Sequence, residues 1–219
     1  EFDAIRETGV NVKTVNTDAL SVESRTRILD ELEGELGKTG KIRLVLHSVA
    51  FGNLKLLAPC SLPDYDSDRL LEAEDFARTL QAMGSNIVEW VQDIFRRRLF
   101  ADDARVLGLT SEGNQVAWRG YAAVSAAKAV LESVSRSMAV EFGSFGIRSN
   151  IIQAGVSDTP ALRAIPGHGR IMARAEQCNP LGRLTTPEDV ANVIFLLCLE
   201  EAAWINGALI RADGGESLT

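Results

Sequence analysis

The sequence predicts an α/β fold in which a doubly wound parallel sheet carries helices on both faces. Strand-like and helix-like patterns alternate along the chain, as they do in parallel sheets built from right-handed crossovers. Residues 42–49 form a nearly continuous apolar run, which is typical of a strand buried on both faces. With 219 residues and 46% hydrophobic content, the chain is long enough for a sizeable core, and we expect residues 1–219 to form a single domain.

Five segments have the character of strands. In residues 10–15, Val10, Val12 and Val15 are the apolar members of a short first strand. The later strands are expected in residues 42–49, 104–109, 148–153 and 208–212.

Helical periodicity occupies the intervals between these strands. Residues 21–36 place four apolar side chains on one face, namely Ile28, Leu29, Leu32 and Leu36. Further helices are expected in residues 70–100 (one or two helices), 121–142 and 162–177. A last helix should begin at Thr186-Pro187-Glu188-Asp189. There the threonine can cap the helix, proline suits its first position, and acidic residues favour its amino end.

Composition excludes several classes of protein. A net charge of −7 argues against nucleic acid or an anionic membrane as the main partner. We find neither an apolar run of eighteen residues nor a signal peptide at the amino end. Three cysteines without metal-ligand spacing argue against a metal site and against a secreted disulfide framework. We therefore expect a cytoplasmic protein.

The most informative pair of residues is Tyr121 and Lys128. Seven residues make two turns of a helix, so both side chains should project from one face, about 20° apart. Only Val124 and Ser125 lie between them on that face. The ammonium favours phenolate and should lower the pKa of the tyrosine from about 10. The pair could donate a proton or stabilise an anion; alternatively, Tyr121 is a half-buried tyrosine at a helix start and Lys128 is a solvated lysine.

Together with three other segments, this pair resembles the short-chain dehydrogenase/reductase family, and within it the enoyl-acyl-carrier-protein reductase branch. The other segments are His47-Ser48-Val49-Ala50-Phe51, residues 154–159 and Ala212-Asp213-Gly214-Gly215. Most of the family places the lysine four residues after the tyrosine, where this chain has Ser125. The longer spacing found here is that of the enoyl reductases.

The resemblance implies a Rossmann-type fold and a function in fatty acid synthesis. Such enzymes use NADH or NADPH to reduce trans-2-enoyl thioesters carried by acyl carrier protein or coenzyme A, commonly as homotetramers. Two alternatives stay open: a carbonyl or hydroxysteroid-type reductase of the same family, and a non-catalytic member that acts as a binding protein.

The resemblance also implies roles for the residues of the pair. Tyr121 would donate to the thioester carbonyl oxygen, and Lys128 would bind the nicotinamide ribose. Enoyl reductases carry a second tyrosine ten residues before the first, where this chain has Ser111. Either Ser111 or Thr110 could assist Tyr121, or both hydroxyls could serve only the loop backbone.

Contacts to the nucleotide are implied for several further residues. They are Asp18 and Ala19 near the adenine, Ser48, Val49 and Ala50 along the ribose, Thr110, the loop Ala154, Gly155 and Val156 at the nicotinamide, and Thr159 at a phosphate. Asp18 and Thr159 could instead be turn or cap residues. The family's usual Pro-Ile after the glycine is Val156-Ser157 here, which leaves the rigidity of the loop open. We interpret His47 as a core histidine with satisfied hydrogen bonds.

Two segments complete the expectations. Residues 158–180 should form a substrate lid, or else an ordinary surface helix, and Arg163, Arg170 and Arg174 could attract the phosphopantetheine of a carrier protein. The chain lacks the Gly-rich turn of dinucleotide-binding domains. We therefore expect a missing amino-terminal strand–helix–strand unit of roughly 40–50 residues.

Overall fold

The computed structural model describes residues 2–61 and 69–219. The chain comprises two compact units, Glu1–Gly40 and Lys41–Thr219.

The first unit contains two helices, α1 (Phe2–Glu7) and α2 (Val22–Leu36). Ser21 caps α2, because its hydroxyl accepts a hydrogen bond from the Ser24 N–H at 3.1 Å. The prediction of a helix in residues 21–36 is therefore confirmed.

The predicted strand in residues 10–15 is wrong. This segment pairs with no other among the described residues, and Val10 and Val15 are 57% and 44% exposed. Lys13 forms ion pairs with Glu31 and Glu35 of α2 instead. A strand needs a neighbour to accept and donate its backbone hydrogen bonds, and alternating valines alone do not provide one.

The second unit contains a parallel sheet in the order β1-β2-β3-β4. The strands are β1 (Ile42–His47), β2 (Phe100–Thr110), β3 (Ile147–Ala154) and β4 (Leu209–Ala212). The four later strand predictions and their parallel arrangement are therefore confirmed, with β2 longer than expected.

Helices connect the strands of this sheet. They are α3 (Ala73–Leu80), α4 (Asn86–Arg96), α5 (Ala122–Phe142), α6 (Pro160–Arg163), α7 (His168–Cys178) and α8 (Pro187–Cys198). A π-helical turn, Gln81–Ser85, joins α3 to α4, so the predicted helical region 70–100 is two helices. The predicted helix 162–177 is divided between α6 and α7, because Pro166 and Gly167 interrupt it and Gly167 has φ 75°.

The alternation of side chains along β2 separates two hydrophobic clusters. Val106 belongs to a cluster with Val91 of α4 and Leu131 of α5. Leu107, its neighbour in sequence, belongs to a second cluster with Leu197 of α8. Successive residues of a strand face opposite sides of the sheet, so the expected doubly covered sheet is confirmed.

The predicted start of α8 is also confirmed. Thr186 and Asp189 form a reciprocal cap, in which the Thr186 hydroxyl accepts from the Asp189 N–H at 3.3 Å and the Asp189 carboxylate accepts from the Thr186 N–H at 2.9 Å. This is the capping box that stabilises many helix starts.

Replacing Thr186 with alanine is therefore expected to lower the free energy of unfolding by about 1 kcal/mol, since the Asp189 N–H loses its acceptor. Urea denaturation measures the change. Thr14, an exposed threonine outside the helices, gives a matched control, Thr14→Ala, that should change stability by less than about 0.5 kcal/mol. Equal losses in the two variants would contradict the capping role.

Candidate active site

The carboxyl ends of the four strands lie at one edge of the sheet. His47 of β1 is aligned with Gly108 of β2, Thr110 of β2 with Gln153 of β3, and Ala154 of β3 with Ala212 of β4. Ligands of open α/β sheets bind at this edge. The loops that follow these strands therefore frame the candidate site.

Tyr121 lies at the entrance to α5. It is the N-cap residue of the helix, with φ −106° and ψ 3°, so it precedes the helix that carries Lys128 rather than lying within it. Its ring packs against Gly113, where a Cβ would come within 2.5 Å of Tyr121 Cε1. Only glycine leaves room for the ring at that position.

Burial raises the pKa of the Tyr121 phenol, so the predicted lowering is wrong. The loss of hydration destabilises the phenolate by more than the neighbouring groups stabilise it. The Ser111 hydroxyl lies close enough to offset part of this shift, although the pair falls short of hydrogen-bond geometry. The phenol therefore keeps its proton at neutral pH.

Lys128 is buried, with only 8% of its surface exposed. Its Nζ donates a hydrogen bond of 2.7 Å to the backbone oxygen of Leu109, near the end of β2. Burial lowers the pKa of Lys128 to about 8, and the Glu132 carboxylate one turn later opposes this shift. The alternative of a solvated lysine does not fit these contacts.

Glu132 is a member of this site that the sequence interpretation missed. Its carboxylate accepts hydrogen bonds from the Thr110 hydroxyl, at 2.8 Å, and from the Asn114 side-chain amide. The Thr110 hydroxyl thus donates its hydrogen bond to a residue of α5, whereas Ser111 lies beside Tyr121. Glu132 follows Lys128 by four residues, a spacing that places both on one helix face and could have revealed it.

The expectation that His47 is fully hydrogen-bonded is wrong for one of its nitrogens. His47 is 7% exposed, and Nε2 has no hydrogen-bond partner among the described residues. Burial, reinforced by the nearby Lys128 charge, lowers the pKa of His47 to about 4. The imidazole is therefore neutral at physiological pH.

The loop after β3 is tied down on both sides. The Val156 N–H donates to both carboxylate oxygens of Glu216, at 3.2 and 3.1 Å, and the Val156 carbonyl accepts from the Thr185 N–H at 3.1 Å. A Cβ on Gly155 would collide with the Thr185 hydroxyl and would lie 2.8 Å from Glu216 Oε2. Gly155 is therefore required for this close packing.

The remaining predicted nucleotide contacts are placed as follows. Ser48, Val49 and Ala50 follow β1 directly, with Ser48 and Ala50 exposed. Thr159 caps α6 by accepting from the Leu162 N–H at 3.2 Å.

Asp18 and Ala19 belong to the first unit, where the Asp18 carboxylate accepts from the Leu20 N–H at 2.9 Å, as in a turn. Their role at a nucleotide stays a prediction, as does that of the other implied contacts.

The expected lid segment, residues 158–180, contains α6 and α7. Arg163 binds Asp158 through two hydrogen bonds of 2.7 and 2.8 Å, and the Arg174 guanidinium lies 5.9 Å from the centre of the Trp118 ring. Arg174 and Trp118 also line a cavity of about 20 Å³ together with Glu112 and Glu216. All three arginines expected to attract a phosphopantetheine thus have partners within the chain.

Neither a membrane-spanning helix nor a metal-binding cluster is found in the parts of the chain that the structure describes. None of those helices is both long and apolar enough to cross a bilayer. In the same residues, no group of three or more His, Cys, Asp or Glu side chains is arranged to hold an ion.

The sequence of this chain is similar to those of several known oxidoreductases. The family model described as enoyl-(acyl carrier protein) reductase matches residues 3–217. The enoyl-acyl-carrier-protein reductase (NADH) FabI of Escherichia coli K12 is 30% identical over 191 residues, covering 87% of this chain and 70% of that protein. The cis-4-hydroxycyclohexanecarboxylate dehydrogenase of Sinomonas cyclohexanicum is 27% identical over 212 residues, covering 97% and 79%.

Solved structures agree on the fold. The enoyl-acyl-carrier-protein reductase (NADH) of Aquifex aeolicus VF5 superposes with a TM-score of 0.84 at 23% identity, covering 99% of this chain and 80% of that one. The FabI–NADH complex of Alistipes finegoldii gives a TM-score of 0.79 at 25% identity, covering 94% and 69%. The chain therefore belongs to the enoyl-acyl-carrier-protein reductase branch of the short-chain dehydrogenase/reductase family and is an NAD(P)H-dependent oxidoreductase.

Proposed function

We propose that the protein reduces the carbon–carbon double bond of a trans-2-enoyl thioester, with NADH or NADPH as the reductant. The observation that carries this proposal is the half-buried, protonated Tyr121 at the start of α5, followed after seven residues by the buried Lys128. The seven-residue spacing is the one that the resemblance assigns to enoyl reductases.

The residues at the carboxyl edge of the sheet suit a polar nucleotide. Buried polar atoms without a partner among the described residues cluster there: His47 Nε2, Ser111 Oγ, Asn114 Oδ1 and Gln153 Oε1. Buried polar atoms usually have partners, and a ligand with hydroxyl and amide groups could supply them. When bound, the nicotinamide would supply a hydride.

Tyr121 would act on the substrate through its phenolic proton. Hydride addition at the β-carbon would shift the electrons of the double bond onto the thioester carbonyl oxygen, and a hydrogen bond donated by Tyr121 Oη would stabilise that charge until the α-carbon takes up a proton from water. The raised pKa supports this role, because the phenol remains a donor at neutral pH. Ser111 would assist by a hydrogen bond to the phenol oxygen.

Lys128 would hold the nucleotide rather than the substrate. An ammonium has three N–H donors, and Leu109 accepts one of them. The other two could bind ribose hydroxyls. Glu132 would support the charge of Lys128 from one turn further along α5.

The wider assignment follows the family resemblance. The proposed nucleotide contacts in the second unit, besides Lys128, are Ser48, Val49, Ala50, Thr110, Ala154, Gly155, Val156 and Thr159. Residues 158–180 would form the substrate lid. The acyl chain of the substrate would be carried by acyl carrier protein or coenzyme A, and the enzyme would be a cytoplasmic homotetramer. Trp204, with 98% of its surface exposed, and the adjacent Ile205 would suit a subunit contact.

The test is the oxidation of NADH and of NADPH with crotonyl-coenzyme A, followed at the nicotinamide absorbance. Turnover with either nucleotide is the expected result, and the ratio of the two rates identifies the preferred cofactor. Binding of the nucleotide without turnover of crotonyl, octenoyl or carrier-bound thioesters would contradict the proposed substrate class.

A second candidate function, the interconversion of a carbonyl and an alcohol, is favoured by the position of Ser111. The resemblance gives enoyl reductases a tyrosine there, whereas a serine beside Tyr121 could orient a ketone oxygen. The similarity to a hydroxycyclohexanecarboxylate dehydrogenase points the same way. Oxidation of cis-4-hydroxycyclohexanecarboxylate with NAD⁺ or NADP⁺, together with failure on enoyl thioesters, would establish this alternative.

A further inference from the structure

Val156 carries a peptide N–H at a position where the resembled family usually has proline. That N–H is accepted by the Glu216 carboxylate, sixty residues later in the sequence, at 3.2 and 3.1 Å. On the carbonyl side the same residue is held by the Thr185 N–H. The loop thus has a fixed conformation without a proline ring.

Glu216 is an unusual residue to bury. It is 5% exposed, and burial raises the pKa of its carboxyl group. The Val156 N–H opposes that shift, whereas the nearby Glu112 and Asp213 carboxylates add to it. Desolvation and the two neighbouring carboxylates destabilise the charged form of Glu216, and the hydrogen bond from the Val156 N–H offsets part of that destabilisation.

The turn after β4 is built to hold Glu216 in place. Asp213 accepts hydrogen bonds from the Gly215 N–H at 3.0 Å and from the Ser217 N–H and hydroxyl at 3.3 and 2.6 Å. These contacts close the turn and begin the short 3₁₀ helix Glu216–Leu218. The Asn179 side chain binds the Asp213 carbonyl at 2.9 Å and fixes the turn to the end of α7.

We propose that Glu216 is a positioning residue that holds the Gly155–Val156 peptide in the conformation that binds the nicotinamide nucleotide. The hydrogen bond replaces the restriction that a proline ring would impose on this loop. This inference rests on the proposed binding of the nucleotide at the loop. It requires an acceptor oxygen at residue 216 and does not require a negative charge there.

The experiment measures the Kd of NADH and NADPH by fluorescence titration of the full chain, so that it does not depend on the substrate. For the nucleotide that the unaltered protein binds more tightly, Glu216→Ala should raise Kd about tenfold, or about 1.4 kcal/mol. Glu216→Gln, which keeps an acceptor, should stay within about twofold of the unaltered protein. Glu200→Ala is the matched control, because Glu200 also begins a 3₁₀ helix but is exposed.

A double-variant experiment tests whether Glu216 acts on Kd through the Val156 N–H. Val156→Pro removes the N–H that Glu216 accepts, so adding Glu216→Ala to that background should change Kd by less than about twofold. An undiminished tenfold loss there, or a loss in Glu216→Gln equal to that in Glu216→Ala, would overturn the inference. If Glu216→Ala alone fails to fold by circular dichroism, Glu216→Gln and the Val156→Pro pair decide the question.

These outcomes are separable from the proposed function. Tight NADH or NADPH binding without thioester turnover would remove the proposed substrate and leave the role of Glu216 testable. Absence of any nucleotide binding by the unaltered protein would remove both.

Discussion

Replacing Tyr121 with phenylalanine is expected to lower kcat for crotonyl-thioester reduction by about 100- to 1000-fold, since one preorganised donor to the developing oxyanion is lost. The ring should keep its place against Gly113, so the Kd of the nucleotide should change little. Steady-state kinetics and a nucleotide titration on the same preparation separate the two effects.

Ser111→Ala provides the comparison for this variant. Because Ser111 lies beside the phenol without replacing it, its loss should cost less than the loss of the Tyr121 hydroxyl. If turnover is unaffected by Tyr121→Phe, the donor to the carbonyl oxygen is Ser111, Thr110 or water instead of Tyr121. The raised pKa of Tyr121 adds a further expectation: its ionisation should not limit the rate below about pH 10.

Affinity for the nucleotide is expected to fall as the pH rises through about 8, because the buried Lys128 loses its proton there. Below that pH the ammonium is intact and can donate to ribose hydroxyls; one unit above it, about nine-tenths of the lysine is neutral and Kd should be up to tenfold higher. Fluorescence titrations of NADH between about pH 6.5 and 9.5 measure this dependence.

Lys128→Met should bind weakly at every pH and show no such dependence. Lys55, which pairs with Asp75, gives the control variant Lys55→Met, and this protein should retain the full pH profile. A flat profile in the unaltered protein would contradict the role given to the Lys128 charge.

Much of the fold could be predicted from local patterns. The apolar runs of β1 to β4 and the cap at Thr186 are contained in short stretches of sequence, and the structure confirms them. Residues 10–15 show the limit of such patterns. Alternating valines are compatible with a strand, but a strand also needs a neighbouring strand to pair with, and the sequence of residues 10–15 does not show whether one is present.

The candidate site was predictable to a different degree. The spacing of Tyr121 and Lys128 is a local property, and so is the interval from Lys128 to Glu132. Burial is not, which is why the pKa of Tyr121 moves in the direction opposite to that expected. The contact between Val156 and Glu216 joins residues sixty positions apart, and no periodicity indicates it.

The burial of Lys128 also has a thermodynamic consequence for the protein without its nucleotide. A lysine whose pKa falls from 10.5 to about 8 on folding carries a penalty of roughly 3 kcal/mol in its charged form. This penalty applies fully below about pH 8 and is relieved as the pH rises toward 10.5. A ligand that accepts hydrogen bonds from the ammonium offsets part of this free-energy penalty, so binding of the nucleotide stabilises the folded protein. Selection for heat resistance alone, without nucleotide, would therefore favour the loss of this lysine and of the activity that depends on it.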